Sequence, residues 1–342
     1  MTLCKDAGLA DPNCQLYMLF YYLGPASVGL LMLNQAHEGL PSWPMILRAA
    51  SITLFDIAAQ ALNYTGAALA GPTIFAIVYS SVTVWTAVFS RILLKRHLLP
   101  GQWIGIVIVF SGLALTATDN SVQVGSGVSH GLLLVTIGSA MHGLTYVMCE
   151  IVMVVPDHIM SDMPRWLQML MGDKNTQRLS VVQNTAVQGF FAMSSLLVWQ
   201  LVYTLPRMDE FILEPMHEAG TSYSKAAVIL GSFALANLVH ALSYFFTLRH
   251  FPGGATSAGV MKGLQAVLVF VVTAYFYCGV TGGSEMCFSP TKFSSLVTVV
   301  GGVALFGVYT EKQHRLERQR QQSPPPQPQP QQQSIQERVD KV

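Results

Sequence analysis

Nine apolar stretches, at roughly 15–34, 45–67, 72–94, 101–118, 130–155, 182–205, 225–248, 254–278 and 293–310, occupy most of this 342-residue chain. Each approaches the length, about 20 residues of helix, that crosses a hydrocarbon core of about 30 Å. Lipid offers backbone amides no partner, so such stretches are stable only as helices that satisfy their own hydrogen bonds. Charged residues make up 11% of the chain and hydrophobic ones 51%, too few charges to cover a water-facing surface around so much apolar sequence. The expected fold class is all-α: a polytopic membrane helix bundle with nine transmembrane helices.

The cations report orientation. Arg48, Arg91, Lys95, Arg96, Arg165, Lys174, Arg178, Arg249, Lys312, Arg315, Arg318 and Arg320 fall on one side when the spans alternate. Lys5, Arg207, Lys225 and Lys292 fall on the other, beside Asp209, Glu210, Glu214, Glu218 and Glu285. Positive residues accumulate on the cytoplasmic side, so the C-terminus is expected in the cytoplasm and the N-terminus outside or in a lumen. With its cations used in this way, the net charge of +1 points to the lipid bilayer as partner and not to nucleic acid. No cleavable signal peptide is apparent.

The chain also repeats itself. Ala61-Leu62-Asn63-Tyr64 returns as Ala241-Leu242-Ser243-Tyr244, and Pro72 as Pro252, both 180 residues later. Phe110-Ser111-Gly112-Leu113-Ala114-Leu115 returns as Val300-Gly301-Gly302-Val303-Ala304-Leu305, 190 residues later. A shift of five spans inverts orientation, and inverted repeats let a carrier interconvert outward- and inward-facing states around one midplane site. The expected organisation is a first, incomplete repeat of four helices (1–128), a second of five (129–310) and a Pro/Gln-rich, disordered cytoplasmic tail (311–342), whose first residues, Glu311–Gln322, extend the last helix.

The stretch Leu62–Thr116, with Gln102-Trp103-Ile104-Gly105-Ile106 and Phe110-Ser111-Gly112-Leu113-Ala114, resembles the drug/metabolite transporter (EamA-like) superfamily. Met261-Lys262-Gly263-Leu264-Gln265-Ala266-Val267 is similar to the lysine-glycine signature of solute carrier family 35 nucleotide-sugar transporters, and Thr86-Ala87-Val88-Phe89-Ser90 also matches that group. The resemblance implies ten helices, of which the first is absent here, and a solute-binding role for Lys262 and Tyr79. It also implies a lysine in the first half, where this chain has Val82, the 180-offset mate of Lys262.

Ionisable groups at membrane depth cost about 2.5–3.5 kcal/mol each on insertion scales, which marks them as candidates for function. Thr53, Asp56, Gln60 and Asn63 share one helix face, as do His142, Tyr146 and Glu150, and Asn237, His240 and Tyr244. Each stripe admits a second reading: interhelical hydrogen bonding for Asn63, snorkelling for Glu150, core packing for Tyr79 and the histidines. The substrate-binding set read from these stripes and the resemblance is Lys262, Tyr79, Asp56, Gln60, Asn63, His240 and Gln265. Asp56, His142 and Glu150 are candidates for proton coupling, and Asp56 or Glu150 for neutralising Lys262 in the empty site. Helices opening at Gly71-Pro72 and Pro252-Gly253-Gly254 either turn their positive ends to an anion or are ordinary turns.

Cys4, Cys14, Cys278 and Cys287 lie on or near the non-cytoplasmic face, where Cys278 and Cys287 either bridge or stay free; Cys149 is intramembrane. No metal-ligand spacing, cofactor motif or catalytic constellation is present, so the chain is not read as an enzyme. The expected function is alternating-access transport of a small polar metabolite, nucleotide-sugar-like, from a Golgi, ER or other endomembrane location, with a homodimer compatible. A carrier for amino acids, peptides or organic cations and drugs is the alternative, as is a non-transporting interaction protein.

Overall fold

The computed structural model describes residues 2–11, 13–34, 41–70, 75, 78–79, 81–115, 126–154, 165, 168, 178–278 and 289–322. The Gly71-Pro72 turn, Cys287 and the tail from residue 323 lie outside them. The described chain is helical: α1 Leu16–Asn34, α2 Trp43–Ala70, α3 Val82–Leu93, α4 Pro100–Leu115, α5 Ser126–Met153, α6 Val181–Trp199, α7 Tyr223–His250, α8 Gly254–Tyr277 and α9 Pro290–Gln322. Five segments are long and apolar enough to cross a membrane: Trp43–Ala67, Ser129–Met153, Val181–Arg207, Tyr223–His250 and Phe293–Leu316. Leu16–Leu30, Val82–Leu93 and Pro100–Gly112 are shorter apolar helices. The protein is thus an all-α, polytopic membrane helix bundle.

Local chemistry sets several helix starts. Ser180 and Gln183 form a capping box at α6, each side chain meeting the other's backbone N–H, and the Ser222 hydroxyl accepts from Lys225 N–H at α7. α9 continues through the charged, proline-free residues 311–322.

Packing follows a cross-linked order. α1 packs on α6 and α7, α2 on α5 and α6, α3 on α5 and α8, and α4 on α9. α4 and α9 meet backbone to backbone at two glycines: a Cβ on Gly105 would come within 2.9 Å of Gly302 O, and one on Gly302 within 3.0 Å of Gly105 O. Small residues allow this closeness where no hydrophobic force drives helices together.

α6 does not stop near residue 205, where its apolar stretch ends. Wide turns at Gln200–Thr204 and Asp209–Leu213 flank a tight one at Leu205–Arg207, and the helical path runs on to Glu218. The segment before α1 folds onto this extension. Gln200 and Thr204 donate to Cys14 O at 2.6 and 3.1 Å, and Trp199 Nε1 donates to Asn13 O at 3.2 Å. Cys4, Ala7 and Leu9 join Tyr17, Met18, Met216, Ala226 and Leu230 in a buried cluster that closes this end of the bundle. Burial there pushes the thiols of Cys4 and Cys14 above their ordinary range. Cys4, Cys14 and Cys149 are free, and Cys278 is disulfide-bonded.

Candidate functional site

Between α1, α2, α5, α6, α7 and α8 lies a cavity of about 590 Å³, counting the space at its mouth. Its wall carries Asp56, His142, His240 and Lys262 among four tyrosines, Tyr21, Tyr22, Tyr146 and Tyr244.

α1 supplies its part of the wall through a proline. Pro25 has no N–H, so the carbonyl four residues earlier, Tyr21 O, loses its helical partner. Asn237 of α7 fills that position, donating from Nδ2 at 2.5 Å. A polar side chain in the third stripe thereby repairs a broken helix beside the cavity, and Gln60 Nε2 donates to the Tyr21 hydroxyl at 3.3 Å.

The acidic pole is Asp56. The Tyr22 hydroxyl donates to its Oδ2 at 2.5 Å, and its Oδ1 lies 3.3 Å from His142 Nε2. Behind the ring, Asn63 Nδ2 stands 3.2 Å from His142 Nδ1. Asn63 and His142 are each 1% exposed.

The basic pole is Lys262. Its Nζ lies 3.3 Å from His240 Nε2 and 5.2 Å from the ring centroids of both Tyr146 and Tyr244. An ammonium only donates, so His240 accepts at Nε2 and is held as the neutral Nδ1–H form. The ring faces attract the cation without neutralising it. Among the described residues no carboxylate lies within ion-pair distance of Lys262.

Glu150, expected beside Lys262 or snorkelling, does neither. It is fully buried, pairs with Arg96 Nη2 at 2.5 Å and accepts from Ala255 N–H at 2.8 Å. Arg96 also donates to Gly253 O at 2.9 Å. The positive end of α8 therefore does hold an anion, and it is the protein's own carboxylate. Gly254 makes room: its φ is +52°, and a Cβ there would fall on the Glu150 carboxylate. At the same end, Arg178 Nη1 donates to Ile151 O at 3.1 Å and Arg249 Nη1 to Leu179 O at 3.3 Å.

Of the expected set, Lys262, Asp56, Gln60, His240 and His142 line the cavity. Asn63 stands behind His142. Tyr79 sits outside the lining, its hydroxyl 3.5 Å from that of Tyr146 and its ring stacked on Phe75. Gln265 faces away, into a groove of about 390 Å³ between α7 and α8, whose wall also includes His240, Ser243, Thr247 and Lys262. Tyr21, Tyr22, Thr185 and Gln188 line the cavity without having been singled out in the sequence. Tyrosines inside an apolar run give no periodic signal, whereas Asn184 and Gln188, one turn apart and hydrogen-bonded at 2.8 Å, formed a readable polar pair.

Residues 11–118 match the EamA-like transporter family. The chain is also similar to solute carrier family 35 member F6 of Rattus norvegicus, at 23% identity over 270 residues, covering 74% of this chain and 64% of that protein. It therefore spans less than two thirds of that relative's length. A solved crystal structure superposes with a TM-score of 0.63 at 12% sequence identity, over 89% of this chain and 91% of the other, a likeness of fold alone. The matching family is one of transporters, and no group of three or more His, Cys, Asp or Glu able to hold a metal occurs among the described residues.

Proposed function

We propose that this chain is a secondary carrier of the drug/metabolite transporter superfamily that moves a small anionic metabolite, nucleotide-sugar-like in chemistry, by alternating access across an endomembrane. The observation that carries the reading is Lys262: an ammonium at membrane depth in a polar cavity, with no carboxylate within ion-pair distance among the described residues and Asp56 as the acid on the same wall. A charge at membrane depth with no directly paired acid is costly, and a solute anion would supply the close partner. Tyr244, Gln60 and His240 offer hydrogen bonds around it.

One packing relation is compatible with inverted repeats at 1–128 and 129–310: exchanging each helix with the one five later turns the α1–α7 contact into α6–α2, and both occur among the described residues. Nine spans, with the basic end carrying Arg96, Arg178 and Arg249 in the cytoplasm, complete this reading.

A carrier for organic cations would rely on Asp56. That carboxylate is already engaged by Tyr22 and His142, which favours the anionic reading. Uptake of radiolabelled nucleotide sugars, nucleotides and basic amino acids into proteoliposomes tests the choice. Lys262→Ala should weaken apparent affinity for the transported anion roughly ten- to a hundredfold, the loss of one charge-assisted contact of about 1.5–3 kcal/mol. Unchanged uptake in that variant, or uptake of cations alone, would overturn the proposal.

A further inference from the structure

The Tyr22–Asp56–His142–Asn63 chain holds an unresolved choice of proton positions. As placed, the Asn63 amide nitrogen donates to His142 Nδ1, so the neutral ring carries its proton on Nε2, toward Asp56. Asn63 Oδ1 is then buried without a hydrogen bond, and His142 Nε2 lies near Asp56 but off a good hydrogen-bond line. Turning the Asn63 amide end for end reverses the demand: Oδ1 would accept from Nδ1–H, which either the neutral Nδ1–H ring or the imidazolium supplies, and only the imidazolium also presents a proton on Nε2 to the Asp56 carboxylate. Two states therefore keep a proton on Nε2 toward Asp56, the neutral Nε2–H ring at net −1 and the imidazolium at net 0, and they differ by one proton and one amide rotation.

The groups that face this pair are Tyr21 and Tyr22 of α1, Tyr79, Tyr146 and Cys149 of α5, His240 and Tyr244 of α7, and Lys262 of α8; α6 contributes uncharged Thr185 and Gln188. Of these Lys262 alone is charged, His240 being held neutral by accepting from it. The charge count of the cavity follows. With the pair at −1, Lys262 is balanced and the cavity is neutral when empty. With the pair at 0, Lys262 is unbalanced and a monoanion restores neutrality. In a low-dielectric interior, unbalanced charge is the expensive state.

We propose that Asp56 and His142 form a proton-binding site coupled to the solute site through Lys262, so that one proton and one anionic charge are loaded and released together. The coupling role rests on the transport reading; the proton site does not. The test uses full-length protein in liposomes with ¹⁵N-labelled histidine, read by solid-state NMR. The His142 signal is identified by its loss in His142→Gln and, independently, by its displacement in Asp56→Asn. At pH 8.5 it should be the neutral Nε2–H form and at pH 5 doubly protonated. In Lys262→Met at pH 7, the doubly protonated share should change by roughly twofold or more. One protonation state at both pH values, an Nδ1–H form at pH 8.5, or indifference to Lys262→Met would overturn the proposal. For any solute that is taken up, an inward proton gradient should raise the initial rate, and His142→Gln should bring the gradient-to-no-gradient ratio to one. Absence of uptake for every solute would count against the transport reading and leave the spectroscopic result standing.

Discussion

Removing Arg96 should damage the fold more than neutralising the acid it pairs with. Arg96 is 30% exposed and can turn to solvent when its partner changes, whereas Glu150 is 0% exposed and cannot. In Arg96→Ala the carboxylate keeps Ala255 N–H as a partner but loses its counter-charge, and breaking a buried pair in this direction costs about 3–5 kcal/mol. In Glu150→Gln the amide oxygen still accepts from Ala255 and Arg96 remains partly hydrated. The loss is then one charge-assisted contact reduced to a neutral one, about 1–2 kcal/mol. Three helix ends meet here, those of α3, α5 and α8, so the effect should appear as global destabilisation. Chemical unfolding in mixed micelles, followed by tryptophan fluorescence, gives both values. The double variant Arg96→Ala/Glu150→Gln should be more stable than Arg96→Ala alone, because it removes the stranded charge. If Glu150→Gln were as destabilising as Arg96→Ala, or if the double variant were the worst of the three, the stranded-carboxylate argument would fail.

Further outcomes follow from the same geometry. Asn237→Leu leaves the Tyr21 carbonyl without a donor and should cost about 1–2 kcal/mol, and adding Pro25→Ala, which restores a helical N–H to that carbonyl, should recover most of it in the same unfolding assay. A raised thiol pKa means less thiolate at any given pH. Cys4 and Cys14, both 2% exposed, should therefore react with an impermeant maleimide far more slowly than a cysteine introduced at exposed Glu218, through pH 8.5, and mass spectrometry of labelled peptides reads the difference. Fast labelling of either native thiol in the folded protein would show that the N-terminal segment is not packed as described.

What the sequence made legible was what local spacing encodes. Apolar length locates the helices, and intervals of three and four residues put Asp56 beside Gln60 and His142 beside Tyr146 on the cavity face. Contacts between helices carry no such signature. Arg96 reads as a topological charge until Glu150 and the α8 terminus are brought to it, and Glu150 reads as a snorkelling acid for the same reason. Gln265 shares a turn with Lys262, yet the helix rotation sends it into the outer groove. Residues 205–218, with Pro206, Pro215 and four acids, lie beyond the apolar stretch that marks α6 in the sequence. Pro206 sits in the tight turn and Pro215 at the start of the last helical turn, each just after a wide turn, and the segment before α1 supplies the buried partners of this stretch.

The proposed transport cycle requires the polar cavity to open in turn to the two sides of the membrane, with Lys262 at its solute pole. Cysteine accessibility at Ala241, a small residue in the cavity wall, tests this directly in a Cys149→Ser background reconstituted in one orientation. The account predicts that an impermeant maleimide labels Ala241→Cys from either side, and that a transported anion slows labelling from both. Labelling from one side only, or labelling untouched by the solute, would contradict it.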